Sequence, residues 1–223
     1  MKRLILLVML AAPLLAGAQQ PAGSVLRIYL ARHGQTDWNL EDRTQGQTDT
    51  LLNATGRRQA SELKMRMAGV PLDAVYSSTL SRSRETGEIV HGSTPLISLP
   101  GLSERKFGKF EGRLVNDPQT GQEFQRRRLI PDDSLDGGES LNVFFDRVRT
   151  TIEGIRKQRS SGSILIVGHL ETDRMILRSL LNLTADQAAP IMQNNDELYL
   201  IELEAAQKPR LWKLISEANL KDL

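Results

Sequence analysis

The sequence predicts an α/β fold, a three-layer α/β/α sandwich built on a mainly parallel central sheet. Three observations carry that expectation. Short apolar runs alternate with stretches of helical periodicity, the order that covers a parallel sheet with helices on both faces. Residues 164–167 (Ile-Leu-Ile-Val) are continuously apolar, as a central strand buried on both faces requires. The 223 residues suit one domain large enough to bury its own core, and with no cysteine in the chain no disulfide staples it.

Taken in order, residues 25–30 form the first buried strand, apolar and partly β-branched or aromatic. A helix is expected over residues 57–68, where Leu63, Met65 and Met67 lie among charges, ending near Gly69-Val70-Pro71. Residues 72–77 read as a second strand, 80–90 as a helix with a mainly polar exposed face, and 96–99 as a third strand. Residues 101–138 turn polar and rich in Gly, Pro and Asp, which suits a cap-like excursion at about residues 103–138, with a short helix over 122–129. A strong helix follows over 140–159, its Leu141, Phe144, Phe145, Val148, Ile152 and Ile155 falling near one stripe. After the strand at 164–167 come a helix over 175–183 and closing strands at 198–203 and 211–215.

Ahead of this domain (25–223), residues 1–18 read as a secretory signal. Lys2 and Arg3 give the basic start, residues 4–15 the apolar stretch, and Ala16-Gly17-Ala18 the small-residue cleavage site. The apolar stretch is shorter than the ~20 residues that a spanning helix needs. Cleavage after Ala18 leaves residues 19–24 as a flexible lead-in and removes two basic residues and no acid. The 29 Lys and Arg then become 27, equal to the 27 Asp and Glu. A near-neutral chain with 4% aromatic residues makes no case for nucleic acid, and the mature form makes none for a membrane. A periplasmic or secreted protein is expected.

Arg32-His33-Gly34 stands directly after the first strand. It combines a fork of guanidinium donors, a nitrogen nucleophile and a backbone position free of Cβ, a kit for handling a phosphoryl group. His169 follows the strand at 164–167, and in parallel sheets ligands collect at the carboxyl ends of strands. Either histidine alone reads as a packed residue; two in equivalent places, one beside an arginine and a glycine, read as a site. Arg82, where the second strand gives way to a helix, is by itself a solvated helix residue like Arg84. Beside Arg32 it becomes half of a guanidinium clamp for phosphate oxygens. Two histidines without a surrounding ligand cluster make a poor metal site, and the missing cysteines exclude a thiolate one. Neither metal nor cofactor is expected.

Together these motifs resemble the histidine phosphatase superfamily, its phosphoglycerate-mutase-like branch, over nearly all of the chain after the signal. Leu30-Ala31-Arg32-His33-Gly34-Gln35-Thr36-Asp37-Trp38-Asn39 is similar to the nucleophile motif with its following Thr and Asn. Gln45-Gly46 through Asp49, Leu52, Gly56 and Gln59 resembles the next block, and residues 78–86 the segment whose phosphate arginine falls on Arg82. Leu102-Ser103-Glu104-Arg105, with Phe107-Gly108 and Glu111-Gly112, is similar to the block whose proton donor falls on Glu104. Gly137-Gly138-Glu139-Ser140 and Val167-Gly168-His169, with Arg174 beyond, complete the order.

The resemblance implies a phosphoglycerate-mutase-like fold in which His33 attacks phosphorus and water later releases the phosphate. Arg32, Arg82 and His169 would stabilise charge on the transferring group, and Gly34, Asn39 and Leu170 join them around the phosphate. Glu104 would protonate the leaving alcohol, with Glu139 a second candidate for that role. Leu170 replaces a frequent glycine. Glu171 and Asp173 either add acidic charge beside the phosphate or fill a helix's first turn. His33 must be neutral to attack, so its other nitrogen should donate to a backbone carbonyl.

The expected activity is a metal-independent phosphomonoesterase acting on a small phosphate ester. A phosphoglycerate mutase shares the first half-reaction, and Gln125-Arg126-Arg127-Arg128 either echoes its carboxylate-binding arginines or forms a solvated helix face. A non-catalytic phospho-ligand-binding protein is a third reading, which retention of the full residue set disfavours. Substrate choice falls to residues 106–136, and the oligomeric state is left open.

Overall fold

The computed structural model describes residues 24–205 and 207–214. The expected signal at residues 1–18, its lead-in up to residue 23, and Ile215 lie outside the described residues. Six strands form one sheet: β1 (Val25–Arg32), β2 (Ala74–Ser77), β3 (Leu96–Ser98), β4 (Gly162–Gly168), β5 (Leu198–Glu204) and β6 (Arg210–Leu214). Their spatial order is β3-β2-β4-β1-β5-β6. β4 pairs parallel with both β1 and β2, and β3 is parallel to β2. β5 runs antiparallel between β1 and β6.

Alternation along the strands divides the core in two. Leu26, Ile28 and Leu30 of β1, with Tyr76, Ile164 and Ile166, face helices α5 (Leu141–Gln158) and α6 (Leu170–Leu180). Tyr29 and Ala31, with Val75, Leu165 and Val167, face α2 (Ala54–Arg66) and α3 (Ser81–Val90). This is the three-layer arrangement the sequence predicts, and the period-2 rule explains why one strand feeds both layers. In α5, Leu141, Phe144, Val148, Ile152 and Ile155 are buried as expected. Phe145 is only partly buried, under the Arg178 guanidinium 3.9 Å from its ring centroid.

Several boundaries differ from expectation for local reasons. α2 starts at Ala54, because the Asn53 side chain accepts from Gly56 N–H and caps it. Met65 is 69% exposed, since residues two apart on a helix diverge and Leu63 and Met67 take the inner face. α6 begins at Leu170, five residues before the expected start. Short helices α1 (Asp37–Leu40) and α7 (Ala185–Ala188) were not expected; Thr36 with Asn39, and Thr184 with Gln187, form reciprocal caps at their starts. α4 (Gly121–Arg127) lies within residues 103–138, where Phe107, Phe110, Phe124 and Leu135 gather into a small core of their own.

Phe144 is fully buried against the sheet. Phe144→Ala should lower the stability by about 3–5 kcal/mol, from lost transfer energy plus the cavity left behind. Urea unfolding followed by circular dichroism checks this, and a loss below about 1 kcal/mol would mean that the layer repacks.

Candidate active site

β1 and β4 lie side by side, yet β1 leads towards α2 on one face and β4 into α6 on the other. Such a divergence opens a crevice at the carboxyl ends of the strands. Arg32 is paired with Gly168 at the end of the ladder, and His33 N–H donates to the Gly168 carbonyl at 3.1 Å. The rings of His33 and His169 therefore meet, with centroids 5.0 Å apart. β2 delivers Ser78 and Arg82 to the same edge through its register with β4.

His33 is buried, and its Nδ1 donates to the Gly34 carbonyl at 2.8 Å. A carbonyl can only accept, so the ring proton sits on Nδ1 and Nε2 keeps its lone pair. Burial first, then the charges of Arg82 and Arg32, hold the ring well below its ordinary pKa. His169 is pushed down by burial and by the same arginines and His33. Its Nε2 lies 2.7 Å from Ser78 Oγ, which also accepts from Leu80 N–H. Ser78 Oγ gives its own hydrogen to Nε2, which puts the His169 ring hydrogen on Nδ1, buried and without a protein partner.

The two arginines are fixed by carbonyls. Arg82 is fully buried, with Nη1 donating to Thr48 O at 3.0 Å and Nη2 to Gly46 O at 2.7 Å. Burial pushes it down to about 10, still cationic near neutrality. Gly46 holds φ at +56°, and a Cβ there would collide with the Glu111 carboxylate, which accepts from Gln47 and Thr48 N–H. Glu111 thus shapes the loop that holds Arg82. Arg32 donates from Nη1 to Gln193 O at 3.1 Å, and its Nε has no partner.

Glu104 is buried where α6 begins. Its Oε2 accepts from Glu171 N–H at 3.2 Å, and its Oε1 from Thr172 N–H at 3.1 Å and Arg105 N–H at 3.0 Å. The carboxylate caps the helix from a distant loop, which explains the early start of α6. Burial, reinforced by Glu171, raises its pKa against these donors and Arg82. Glu139 instead takes a bidentate grip from Arg147, at 2.8 and 2.7 Å, and does not line the cavity.

Arg32, His33, Arg82 and Glu104 line one cavity of about 410 Å³, together with Asn39 and Leu170. Asn39 accepts from Thr36 N–H through Oδ1, which leaves its NH₂ as the end open to a ligand. Gly34 has a packing role that the sequence reading did not assign. Its missing Cβ makes room for the Gly56 carbonyl of α2, its N–H donates to Thr86 Oγ1 at 3.1 Å, and it does not line the cavity. The glycine is required for packing of α2 against the loop that follows β1.

Sequence reading missed Ser78, Thr86 and Glu111 as supports, and missed Asn195, whose Nδ2 donates to His33 O at 2.6 Å. All but Asn195 fall within blocks that resemble the family, but their partners lie far along the chain, so no local pattern shows what they hold. Of the arginine run, only Arg128 reaches the cavity. Arg127 is held by Asp133, Asp136 and Glu123. Among the described residues, no group of three or more His, Asp or Glu side chains is placed to hold a metal ion.

The family model for the histidine phosphatase superfamily (branch 1) matches residues 28–214. The chain belongs to that superfamily. A relative from Shigella boydii, "Probable phosphoglycerate mutase GpmB", is 31% identical over 186 residues, covering 81% of this chain and 86% of its own. Its namesake from Serratia proteamaculans is 36% identical over 151 residues, 65% of this chain and 70% of the relative. Among solved histidine phosphatase folds, Bacillus stearothermophilus YhfR superposes with a TM-score of 0.75 at 27% identity, covering 83% of this chain and 95% of that one. The alpha-ribazole phosphatase from Shigella flexneri gives 0.75 at 25% identity, covering 84% and 95%.

The lowered values of His33 and His169 mean that both rings stay neutral where a free imidazole, near 6.5, is half protonated. Ring-¹⁵N NMR should show no titration of either between about pH 8 and 6, and a hydrogen on Nδ1 of His33. A midpoint at 6.5 in either ring would contradict the burial and charge described.

Proposed function

We propose that this histidine phosphatase is an exported, metal-independent phosphomonoesterase. It hydrolyses a small phosphate ester through a phosphohistidine on His33. The observation that carries the reading is the His33 ring, neutral, locked by Nδ1–H to the Gly34 carbonyl, and presenting a bare Nε2 in the cavity that Arg32 and Arg82 also line. In the first step Nε2 forms a bond to phosphorus as the ester P–O bond breaks, and Glu104 gives its proton to the departing alkoxide. Water then attacks phosphorus, Glu104 takes its proton, and the N–P bond returns its electrons to His33. Arg32, Arg82 and His169 Nδ1–H face the oxygens on which charge accumulates, and their positive character does the work a metal would do elsewhere. Export rests on Lys2, Arg3 and the apolar residues 4–15 before Ala16-Gly17-Ala18.

Transfer to a second substrate position, as in a phosphoglycerate mutase, is the second reading, and the names of the curated relatives favour it. Of the arginines that would hold a phosphoglycerate carboxylate, Arg127 is committed to three acids, Arg128 gives its Nη1 to Glu171, and Arg126 does not line the cavity. That favours water as acceptor.

A phosphate-release panel on the mature protein should show turnover that chelator leaves intact and vanadate suppresses, with His33→Ala near background. Equal rates in His33→Ala would remove the phosphohistidine from the mechanism. Glu104→Gln should lose about 10²–10⁴-fold on an alkyl phosphate but far less on p-nitrophenyl phosphate, whose leaving group needs no proton. A uniform loss on both would take Glu104 out of proton transfer.

A further inference from the structure

Resting on the phosphatase reading, we propose that Glu171 is a specificity-determining residue. It selects esters whose alcohol half is uncharged and hydroxyl-bearing, and rejects those ending in a carboxylate. Glu171 lines the same cavity as His33 and Glu104, and its own N–H is one of the donors that hold the Glu104 carboxylate. Beyond the phosphate-facing residues, two further arginines of the cavity wall point their guanidinium edges at Glu171. Arg128 Nη1 donates to Oε1 at 2.7 Å, and Arg174 Nη1 reaches the same oxygen at 2.6 Å. The remaining edge of Arg174 is spent on the Ile191 carbonyl, through Nε at 3.0 Å and Nη2 at 2.7 Å. Arg43, also on the wall, is paired with Glu41 and the Gly112 carbonyl.

A carboxylate entering beyond the phosphate would therefore find Arg174 engaged through all three nitrogens, Arg128 Nη1 taken while its Nε stays unpaired, and a like charge between them. A negatively charged competitor is penalised both by the missing donors and by repulsion from Glu171. Glu171 Oε2 carries no bond to either arginine and is the acceptor left for a substrate hydroxyl. Trp38 and Phe124 supply apolar wall for the carbon skeleton. The charge is specific to this side chain: glutamine at 171 would keep the shape and an amide oxygen for Arg128, while removing the repulsion.

The test uses two esters alike at the reacting end, glycerol 3-phosphate and 3-phosphoglycerate, which differ in carrying CH₂OH or carboxylate at the far carbon. Any effect of Glu171 on proton donation by Glu104 cancels in the ratio of their kcat/KM values. The native enzyme should favour glycerol 3-phosphate by about tenfold or more. Glu171→Gln should bring the ratio to about one or invert it, chiefly through KM for 3-phosphoglycerate. Adding Arg128→Gln to Glu171→Gln should cancel that gain, since the guanidinium whose charge Glu171 no longer neutralises is gone. A thermal melt confirms that each variant is folded. A ratio unmoved by Glu171→Gln in folded protein, or a native preference for 3-phosphoglycerate, overturns the proposal while leaving phosphatase activity standing. Failure of the native protein to hydrolyse either ester and p-nitrophenyl phosphate overturns the phosphatase reading, and the role of Glu171 with it.

Discussion

The parallel register of β1 on β4 sets Arg32 beside Gly168, and the His33 N–H···O bond to Gly168 carries that register one residue past the ladder. A slip of one residue would turn every side chain of β1 to the other layer, exchanging Leu30 for Ala31 in the α5–α6 core. The same slip would separate the two imidazoles. Burial of both faces of β1 therefore fixes the geometry of the site as well as the stability of the domain. The remaining site residues are brought to this edge, by β2 and α3 for Arg82 and by a loop for Glu104.

The site is built to keep positive charge buried yet unspent. Arg82 is held by the Gly46 and Thr48 carbonyls, which accept from Nη2 and Nη1 without cancelling its charge, while its buried Nε has no partner. Removing a guanidinium from water costs several kcal/mol, so such a residue is kept only where an anion offsets the cost. The neutral histidines follow from the same field, since a cationic imidazole beside two arginines in a dry cavity is unfavourable. Glu111 and Thr86 contribute at one remove. Glu111 holds the backbone that cradles Arg82, and Thr86 joins Gly34 N–H to the Arg82 carbonyl.

Acidic groups sit close to this positive centre, and helix α6 organises them. Glu104 occupies the amides of its first turn, where the helix dipole favours an anion. Asp173, one turn in, is buried with neither carboxylate oxygen hydrogen-bonded, and burial and Glu104 push its pKa well up. Glu171, also buried, turns to Arg128 and Arg174 in the cavity wall. One helix thereby binds the Glu104 carboxylate at its first turn and carries a buried acid, Asp173, and an ion-paired one, Glu171.

Periodicity and composition alone determined the layered α/β class, the strands that end in His33 and His169, and the long buried stripe of α5. They do so because burial acts on side-chain spacing, which is local. Position at a strand end beside Arg32 singled out Arg82, motif order added Glu104 through resemblance, and both line the cavity. Tertiary structure decided what spacing does not encode. Gly34 serves the approach of Gly56, because the collision is with a backbone more than twenty residues away. Glu139 is held by Arg147, which separates it from the cavity that Glu104 lines. The start of α6 is set by a carboxylate 67 residues earlier in the chain. Hydrogen-bond and ion-pair partners of buried polar groups are chosen by proximity in the folded chain, and that choice turned a recognisable set of phosphate-handling residues into one defined cavity.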